Sequence, residues 1–125
     1  MAKFILSAFA DEAAESLEMQ IKALKENGIG YIEPRFIDKK GIITLSDEEL
    51  YEVRRALDEG GIKVGSLGSP IGKFGIDEDF SEQLEKLQRA LRAAEILGAE
   101  RIRMFSFYIP RDTRREYLPE ISRRL

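Results

Sequence analysis

The sequence predicts an α/β protein made of four consecutive βα units, and three observations lead to this fold class. Short apolar runs alternate four times with longer segments whose apolar residues recur at helical spacing. The chain has 125 residues and is 43% hydrophobic, which is enough for one packed core. No Pro-rich or Ser-rich linker divides it. We therefore expect a single domain, residues 1–125, with a parallel sheet and right-handed crossovers.

The first unit joins an apolar strand over 3–10 to a helix over 16–28 that ends in a glycine. Asp11 and Glu12 follow the strand, where they could bind a metal or polarise a substrate hydroxyl. We favour a second interpretation, in which they supply negative charge near the N-terminus of the next helix. The inner face of that helix is expected to contain Leu17, Ile21 and Leu24.

The second unit joins a strand over 30–36 to a helix over 45–61. Ser46, followed three residues later by Glu49, predicts a capping box at the start of this helix. A pair of glycines predicts its end. Its expected inner stripe consists of Leu50, Val53 and Leu57.

The third unit joins a strand over 62–69 to a helix over 77–98, and the fourth joins a strand over 101–109 to a helix over 113–125. Pro119 falls inside the last helical pattern and predicts either a kink or a helix that begins near it. The inner face of the third helix is expected to contain Phe80, Leu84, Leu87, Leu91 and Ala94.

Two architectures fit this order of elements. One is a small open doubly wound sheet with helices on both faces. The other is one half of an eight-stranded (β/α)8 barrel, a fold that typically takes about 250 residues. The pattern of elements alone leaves both architectures open.

Composition excludes several classes of function. The net charge of −3 gives the whole chain no attraction for nucleic acid. Cysteine and histidine are absent, so any metal would depend on carboxylates, carbonyls and water. No run approaches the roughly 18 apolar residues of a membrane span, and the first residues do not have a signal-peptide pattern. We expect a cytoplasmic chain that binds neither nucleic acid nor a membrane.

The segment SLGSPIGK, residues 66–73, could bind a phosphate or could be only a turn. It does not match the Walker loop, because three residues separate Gly68 from Gly72 and a phenylalanine follows Lys73. After a strand, Ser69 and Lys73 could still reach a phosphate or a sugar. As a turn, the two glycines would allow tight backbone dihedrals.

Polar residues within the apolar strands are the other candidates. Glu33 could act as a general base or orient a sugar hydroxyl, and it could also pair with Arg35 or Arg103. An arginine inside an apolar strand, such as Arg103, should be paired or functional. We therefore predict Glu33 as the catalytic residue. The predicted substrate-binding residues are Arg35, Ser69, Lys73, Arg103 and Ser106.

Five stretches connect the chain to a known family: SAFADE, YIEPR, LSDEEL, DEGGIKVGSLGSPIGKFGIDEDF and RIRMFSFYIP. With these in register, the chain is similar to the first half of a bacterial sugar phosphate isomerase/epimerase of the xylose isomerase-like barrel superfamily. The resemblance implies an N-terminal (βα)4 half of a TIM (β/α)8 barrel. Pro34 departs from relatives that often have leucine there, and it leaves the length of the second strand in doubt.

The resemblance also implies an activity and a cofactor. Family members carry out metal-assisted proton transfer next to a sugar carbonyl, and they bind a divalent metal through Glu, Asp, His and Glu of later strands. Without those strands, this chain alone is expected to hold no metal or other cofactor and to be inactive. Two alternatives are a truncated or designed half-barrel that self-associates without catalysis, and an open-sheet domain that binds a small anion.

The expected partners follow from the edges of such a half-barrel. Four parallel strands in barrel curvature leave the first and last strands with unpaired backbone groups. We expect a homodimer that closes eight strands, with Phe105 and Phe107 near its core, or a complex with the missing C-terminal half-barrel. The expected small-molecule ligand is a sugar phosphate or an inorganic anion.

Overall fold

The computed structural model describes residues 3–125 and has strands and helices in the predicted alternation. Its strands are β1 (Ser7–Ala8), β2 (Tyr31–Ile32), β3 (Phe36–Ile37), β4 (Lys40–Gly41), β5 (Lys63–Val64), β6 (Ser66–Gly68) and β7 (Arg101–Arg103). Its α-helices are α1 (Leu17–Glu26), α2 (Asp47–Gly60), α3 (Ser81–Leu97) and α4 (Arg114–Arg124). Short 3-10 helices cover Ala10–Glu12 and Ile42–Thr44.

The strands that precede the α-helices lie side by side in chain order. β1 pairs with β2 and β2 with β5, all parallel, so that Ser7 lies opposite Tyr31 and Tyr31 opposite Lys63. Only Gly65 separates β5 from β6, and β6 pairs in parallel with β7. The sequential parallel order is that of a β/α barrel, whereas a doubly wound sheet reverses its strand order at a switch point.

The regular strands are shorter than predicted, and Pro34 explains the second one. That strand was expected over 30–36 but is regular only at Tyr31–Ile32. Pro34 is buried just beyond it and has no N–H to donate to a neighbouring strand. Its carbonyl oxygen still accepts a hydrogen bond from the Gly68 nitrogen at 2.9 Å, which keeps this segment beside β6.

A β-hairpin that the sequence did not predict follows Pro34. Strands β3 and β4 are antiparallel, and Asp38 and Lys39 connect them with φ angles of 51° and 66°. Positive φ at both central positions is the geometry of a type I′ turn. The buried Gln20 side chain of α1 donates to the Phe36 carbonyl at 3.1 Å and fixes the hairpin to the body of the protein.

The hydrophobic core lies between the sheet and helices α1 to α3. The predicted capping box at the start of α2 is confirmed: the Glu49 nitrogen donates to the Ser46 hydroxyl at 3.1 Å, and the Ser46 nitrogen donates to the Glu49 carboxylate at 2.8 Å. The predicted inner stripe of α2 is buried. Large side chains with almost no exposure include Ile32, Ile42, Leu50, Leu57 and Leu67.

The inner face of helix α3 is only partly the predicted one: Ala94 is buried and Leu87 packs against the core, as expected. Leu84 and Leu91 were expected inside but are 50% and 54% exposed. The buried face of α3 contains three alanines, whose small side chains allow close packing against the core, and the two leucines lie on the exposed side. The buried residues of α3 are Gln83, Ala90, Ala93, Ala94, Ile96 and Leu97. Within residues 3–125, no helix is long and apolar enough to cross a membrane.

The last strand also differs from its prediction over 101–109. It is regular only at β7, and the chain beyond it leaves extended geometry at Phe107, which has a φ of 74°. This segment stays against the loop that follows β6. The Phe105 nitrogen donates to the Ile71 carbonyl at 2.8 Å, and the Phe107 nitrogen donates to the Gly72 carbonyl at 3.0 Å.

Helix α4 is anchored mainly at its C-terminal end. The helix runs through Pro119, so the alternative in which it begins near the proline is wrong. The Arg124 side chain is 11% exposed, and its guanidinium carbon lies 4.8 Å from the Phe80 ring centroid and 5.4 Å from that of Phe107. Glu120 accepts a hydrogen bond from Arg124 Nε at 2.7 Å and thereby holds the guanidinium over the two rings.

We predict that Glu120→Gln destabilises the protein at neutral pH and much less in acid. Hydrogen bonds from Arg123 and Arg124 lower the pKa of Glu120 from 4.5 to about 2. Because the pKa of Glu120 is lower in the folded protein than in the unfolded one, these hydrogen bonds stabilise the fold fully above pH 4.5. The stabilisation is lost as the pH falls through about 2. Urea unfolding of the unmodified protein and of Glu120→Gln should be measured between pH 7 and pH 2. The difference between their free energies of unfolding should become smaller as the pH falls. Glu52→Gln, at an exposed position on α2, should give a difference that does not follow this profile.

Candidate functional site

The carboxyl ends of β1, β2, β6 and β7 meet at one end of the sheet, and the aromatic ring of Phe9 marks their meeting point. Phe9 directly follows β1. The guanidinium carbon of Arg35, just beyond β2, lies 4.2 Å from its ring centroid. The guanidinium carbon of Arg103, the last residue of β7, lies 5.7 Å from the same centroid. Two predicted substrate-binding arginines are thus brought together where parallel-sheet enzymes place their sites.

Arg35 is held by acidic residues that the sequence assigned elsewhere. Its Nε and Nη2 donate to the two carboxylate oxygens of Asp11 at 3.1 and 2.9 Å, and Nη2 also donates to Glu12 at 3.2 Å. The hydrogen bond to Asp11 is the main reason why the pKa of Arg35 is raised. Asp11 and Glu12 therefore orient an arginine at the mouth, and the preference for a role at the N-terminus of α1 was wrong. That helix begins only at Leu17.

Arg103 is a partly buried cation whose hydrogen-bonding capacity is poorly used. Its Nη2 donates to the Ser69 carbonyl at 3.2 Å, and its Nε is buried without a hydrogen-bond partner. The guanidinium carbon lies 4.5 Å from the Phe105 ring centroid. Burial lowers the pKa of Arg103, the charge of Arg35 lowers it further, and the charge of Glu33 partly opposes both. No carboxylate lies within 4.0 Å of it in the described part of the chain.

Gly68 is the residue over which both arginines lie. A Cβ atom at this position would collide with the Arg35 side chain and would lie 3.1 Å from the Pro34 carbonyl oxygen and 3.3 Å from Arg103 Nη2. A side chain here would therefore displace both guanidinium groups. The absence of a side chain at the end of β6 is what allows the two cations to share this end of the sheet.

Ser69 has a structural function in the loop. It is fully buried, its hydroxyl donates to the Arg103 carbonyl at 2.6 Å, and the hydroxyl accepts from the Ile71 nitrogen at 3.3 Å. These bonds fix the start of the loop to the end of β7. The loop is therefore a tightly hydrogen-bonded turn, and its exposed lysine, Lys73, is the part of it that can reach a ligand.

Lys73 completes the group of cations at the mouth. Its Nζ lies 5.7 Å from the Phe105 ring centroid, on the ring that Arg103 also contacts. Lys73, Arg35 and Arg103 line one open cleft with a volume of about 710 Å³. Three of the six predicted site residues therefore share one cavity.

Besides the buried Ser69, two predicted site residues, Glu33 and Ser106, do not line the 710 Å³ cleft. Glu33 is half-buried and lines a separate cleft of about 740 Å³ together with Tyr31 and Arg101. Neither of the two alternative ion pairs of Glu33 forms: Arg35 is engaged by Asp11 instead, and Glu33 is not within 4.0 Å of Arg103. Ser106 is exposed. Among the described residues, no group of three or more potential metal ligands of the Asp, Glu, His or Cys type comes together.

Two further basic residues line the 710 Å³ cleft and were not singled out in the sequence. Lys86 and Arg89 lie on the first half of α3, which forms one wall. Arg89 donates to the Asp47 carboxylate at 2.8 Å and to the Leu45 carbonyl. The local sequence of α3, with its many charged residues, does not indicate that either residue lines a cleft. Their place in the cleft depends on how α3 packs beside the loop after β6.

Comparisons with known proteins are consistent with this arrangement of strands. A family model described as a xylose isomerase-like TIM barrel matches residues 21–125. The crystal structure of D-psicose 3-epimerase in the presence of D-fructose is similar, with a TM-score of 0.57 and 18% sequence identity. That match covers 90% of this chain and 43% of the epimerase chain, so the chain spans less than half of the epimerase. No curated protein sequence matches.

Proposed function

This chain belongs to the xylose isomerase-like TIM barrel family, and from that premise we propose that it forms the substrate-binding side of a sugar isomerase or epimerase site. The observation that carries the proposal is the cationic cleft at the carboxyl ends of the strands, lined by Arg35, Lys73 and Arg103. In β/α barrels the site lies at this end. Arg35 is held there by specific contacts with Asp11 and Phe9, which is the preorganisation that substrate positioning requires.

The parent reaction would be proton transfer next to a sugar carbonyl, assisted by a divalent metal. The described residues do not fit that metal, because no three of their carboxylates converge. Metal ligands and the catalytic bases would then come from four further βα units. In this proposal Arg35, Lys73 and Arg103 bind and orient the sugar, and Glu33, which lines the separate 740 Å³ cleft, does not contact it.

In the isolated chain, we propose that a second copy closes the barrel in place of the four further βα units, without supplying their metal ligands and bases. In the described residues, β1 and β7 each have a strand on one side only. Just before β1, Phe4, Ile5 and Leu6 are 86%, 76% and 60% exposed. Successive residues of an extended segment point to opposite faces, and apolar residues on both faces are typical of a strand covered on both sides in a parallel sheet. We propose that the β7 edge of a second copy, with its helix, covers this segment.

We predict that the 125-residue chain alone has no sugar isomerase or epimerase turnover with Mn²⁺ or Mg²⁺, because no set of metal ligands converges among residues 3–125. D-fructose with either metal, assayed by chromatography of the sugars, is the measurement. Turnover that disappears in Glu33→Gln but persists in Glu52→Gln would contradict this and would place the complete catalytic site in these four units.

A further inference from the structure

A groove of about 600 Å³ lies between α1, α2 and the β3–β4 hairpin. It shares no lining residue with the 710 Å³ cleft or with the 740 Å³ cleft, so it is separate from the proposed sugar site. A ligand in this groove would therefore leave the sugar site free.

The floor of the groove is apolar. Its buried side chains are Ile37, Leu45 and Val53, and the half-buried side chains of Leu17, Ile21 and Ala56 extend it. At the end of α2, Gly60 lets α1 approach closely, because a Cβ atom there would lie 2.7 Å from Ile21 Cγ2. An apolar floor of this kind favours a ligand that covers it with apolar surface of its own.

The rim of the groove is acidic. Within residues 3–125, six charged side chains line the groove, and five of them are carboxylates. The basic one, Lys40, is paired with Glu49 at 3.3 Å. No lysine or arginine nitrogen of the described chain lies within 4.0 Å of the other four, which are all exposed: Glu18, Asp38, Glu52 and Glu59. Carboxylates gathered without counter-charges attract cations.

Helix α2 forms a wall of three turns along this groove. Its lining residues recur at helical spacing on one face: Glu49, Glu52, Val53, Ala56, Glu59 and Gly60. At 1.5 Å per residue, this wall is about 16 Å long, and Glu52 and Glu59 are about 10 Å apart along the helix axis. A small cation would meet only one of these two carboxylates. A helix lying along α2 would place basic side chains seven residues apart near both of them.

We propose that this groove binds a basic amphipathic α-helix of a partner protein. Apolar side chains of that helix contact the floor, and its lysines or arginines at i and i+7 lie near Glu52 and Glu59. Recognition of a helix in a groove uses apolar anchors that recur at i, i+3, i+4 and i+7, which suits a wall made of one face of α2. The acidic rim repels the anionic headgroups of a membrane and the phosphates of nucleic acid, so charge complementarity favours a basic protein segment.

Fluorescence anisotropy of a labelled synthetic peptide, titrated with the full chain, tests the inference. The peptide has about fourteen residues, with leucines at helical spacing on one face and two lysines seven residues apart beside them. We expect saturable binding with a dissociation constant in the micromolar range, which weakens as the ionic strength rises. Glu52→Gln/Glu59→Gln should weaken binding about tenfold, because two ion pairs at the rim are lost. Glu85→Gln/Glu116→Gln, at exposed positions on α3 and α4, changes the net charge equally and should bind like the unmodified chain.

Ala56→Trp tests the apolar floor separately from the charged rim. Ala56 is half-buried in the lining, and a tryptophan there would occupy the space that the peptide needs. We expect binding to fall more than tenfold, while the circular dichroism spectrum stays that of the unmodified chain. Unchanged binding by a folded Ala56→Trp would overturn the inference.

Two further results would also overturn it. One is equal weakening of binding by the two double variants, which would reduce the interaction to a general attraction between opposite charges. The other is the absence of saturable binding of the peptide by the unmodified chain. The proposed sugar site is tested separately by the turnover assay, so its failure and the failure of the groove are distinguishable.

Discussion

Gly72→Ala is expected to lower the free energy of unfolding by about 3 kcal/mol, the largest stability effect that we predict for a single added methyl group. Gly72 has a φ of +80°, and a Cβ atom there would overlap the Phe105 carbonyl group, whose carbon would lie 2.7 Å away. Its own nitrogen donates to the buried Gln83 side chain at 3.0 Å. The added methyl group would therefore separate the loop, the segment after β7 and α3, which meet at this residue.

The matched control is Gly28→Ala, measured by the same urea unfolding experiment. Gly28 has a φ of +67°, and no atom lies within 4 Å of its Cβ position. Alanine at this position has nearly the same cost for its positive φ but meets no neighbouring atom. We therefore expect the free energy of unfolding to fall by only about 1 kcal/mol. Equal losses in the two variants would show that the loop after β6 is not packed against the segment after β7 as described.

Ile5→Lys is expected to weaken self-association about a hundredfold, if two copies close one barrel as proposed. Ile5 is 76% exposed and lies beside Ser7 and Tyr31 in the lining of the 740 Å³ cleft. Closure would bury this residue, and a lysine there would place an unpaired charge in an apolar contact. Sedimentation velocity over a range of concentrations gives the dissociation constant.

Tyr51→Lys serves as the control for this effect. Tyr51 is 52% exposed on α2 and is away from the sheet edges. We expect this variant to associate like the unmodified chain. A comparable loss of association in both variants would point to a contact between helices in place of the sheet edge.

Features set by neighbouring residues could be predicted from the sequence. The capping box of Ser46 and Glu49 depends on two side chains three residues apart, and the stop at Gly61 depends on one residue with a φ of 71°. The alternation of four strands with four helices is likewise carried by local periodicity. These features were correct because no distant contact was needed to decide them.

Features set by tertiary contacts could not be predicted. The turn at Asp38 and Lys39 has positive φ angles without the usual Asn-Gly or Asp-Gly sequence, because the hairpin is held from outside by Gln20. The outward position of Leu84 follows from burial of the face of α3 that contains the alanines. Lys86 reaches the cleft only through that same packing.

The proposal that these four βα units form half of a closed barrel is tested most directly by sedimentation equilibrium of the unmodified chain at micromolar concentration. Two edges without a neighbouring strand and the exposed segment before β1 predict a mass twice the 14.3 kDa of one chain. A species of 14.3 kDa that unfolds cooperatively would contradict closure by a second copy and would favour an autonomous open sheet.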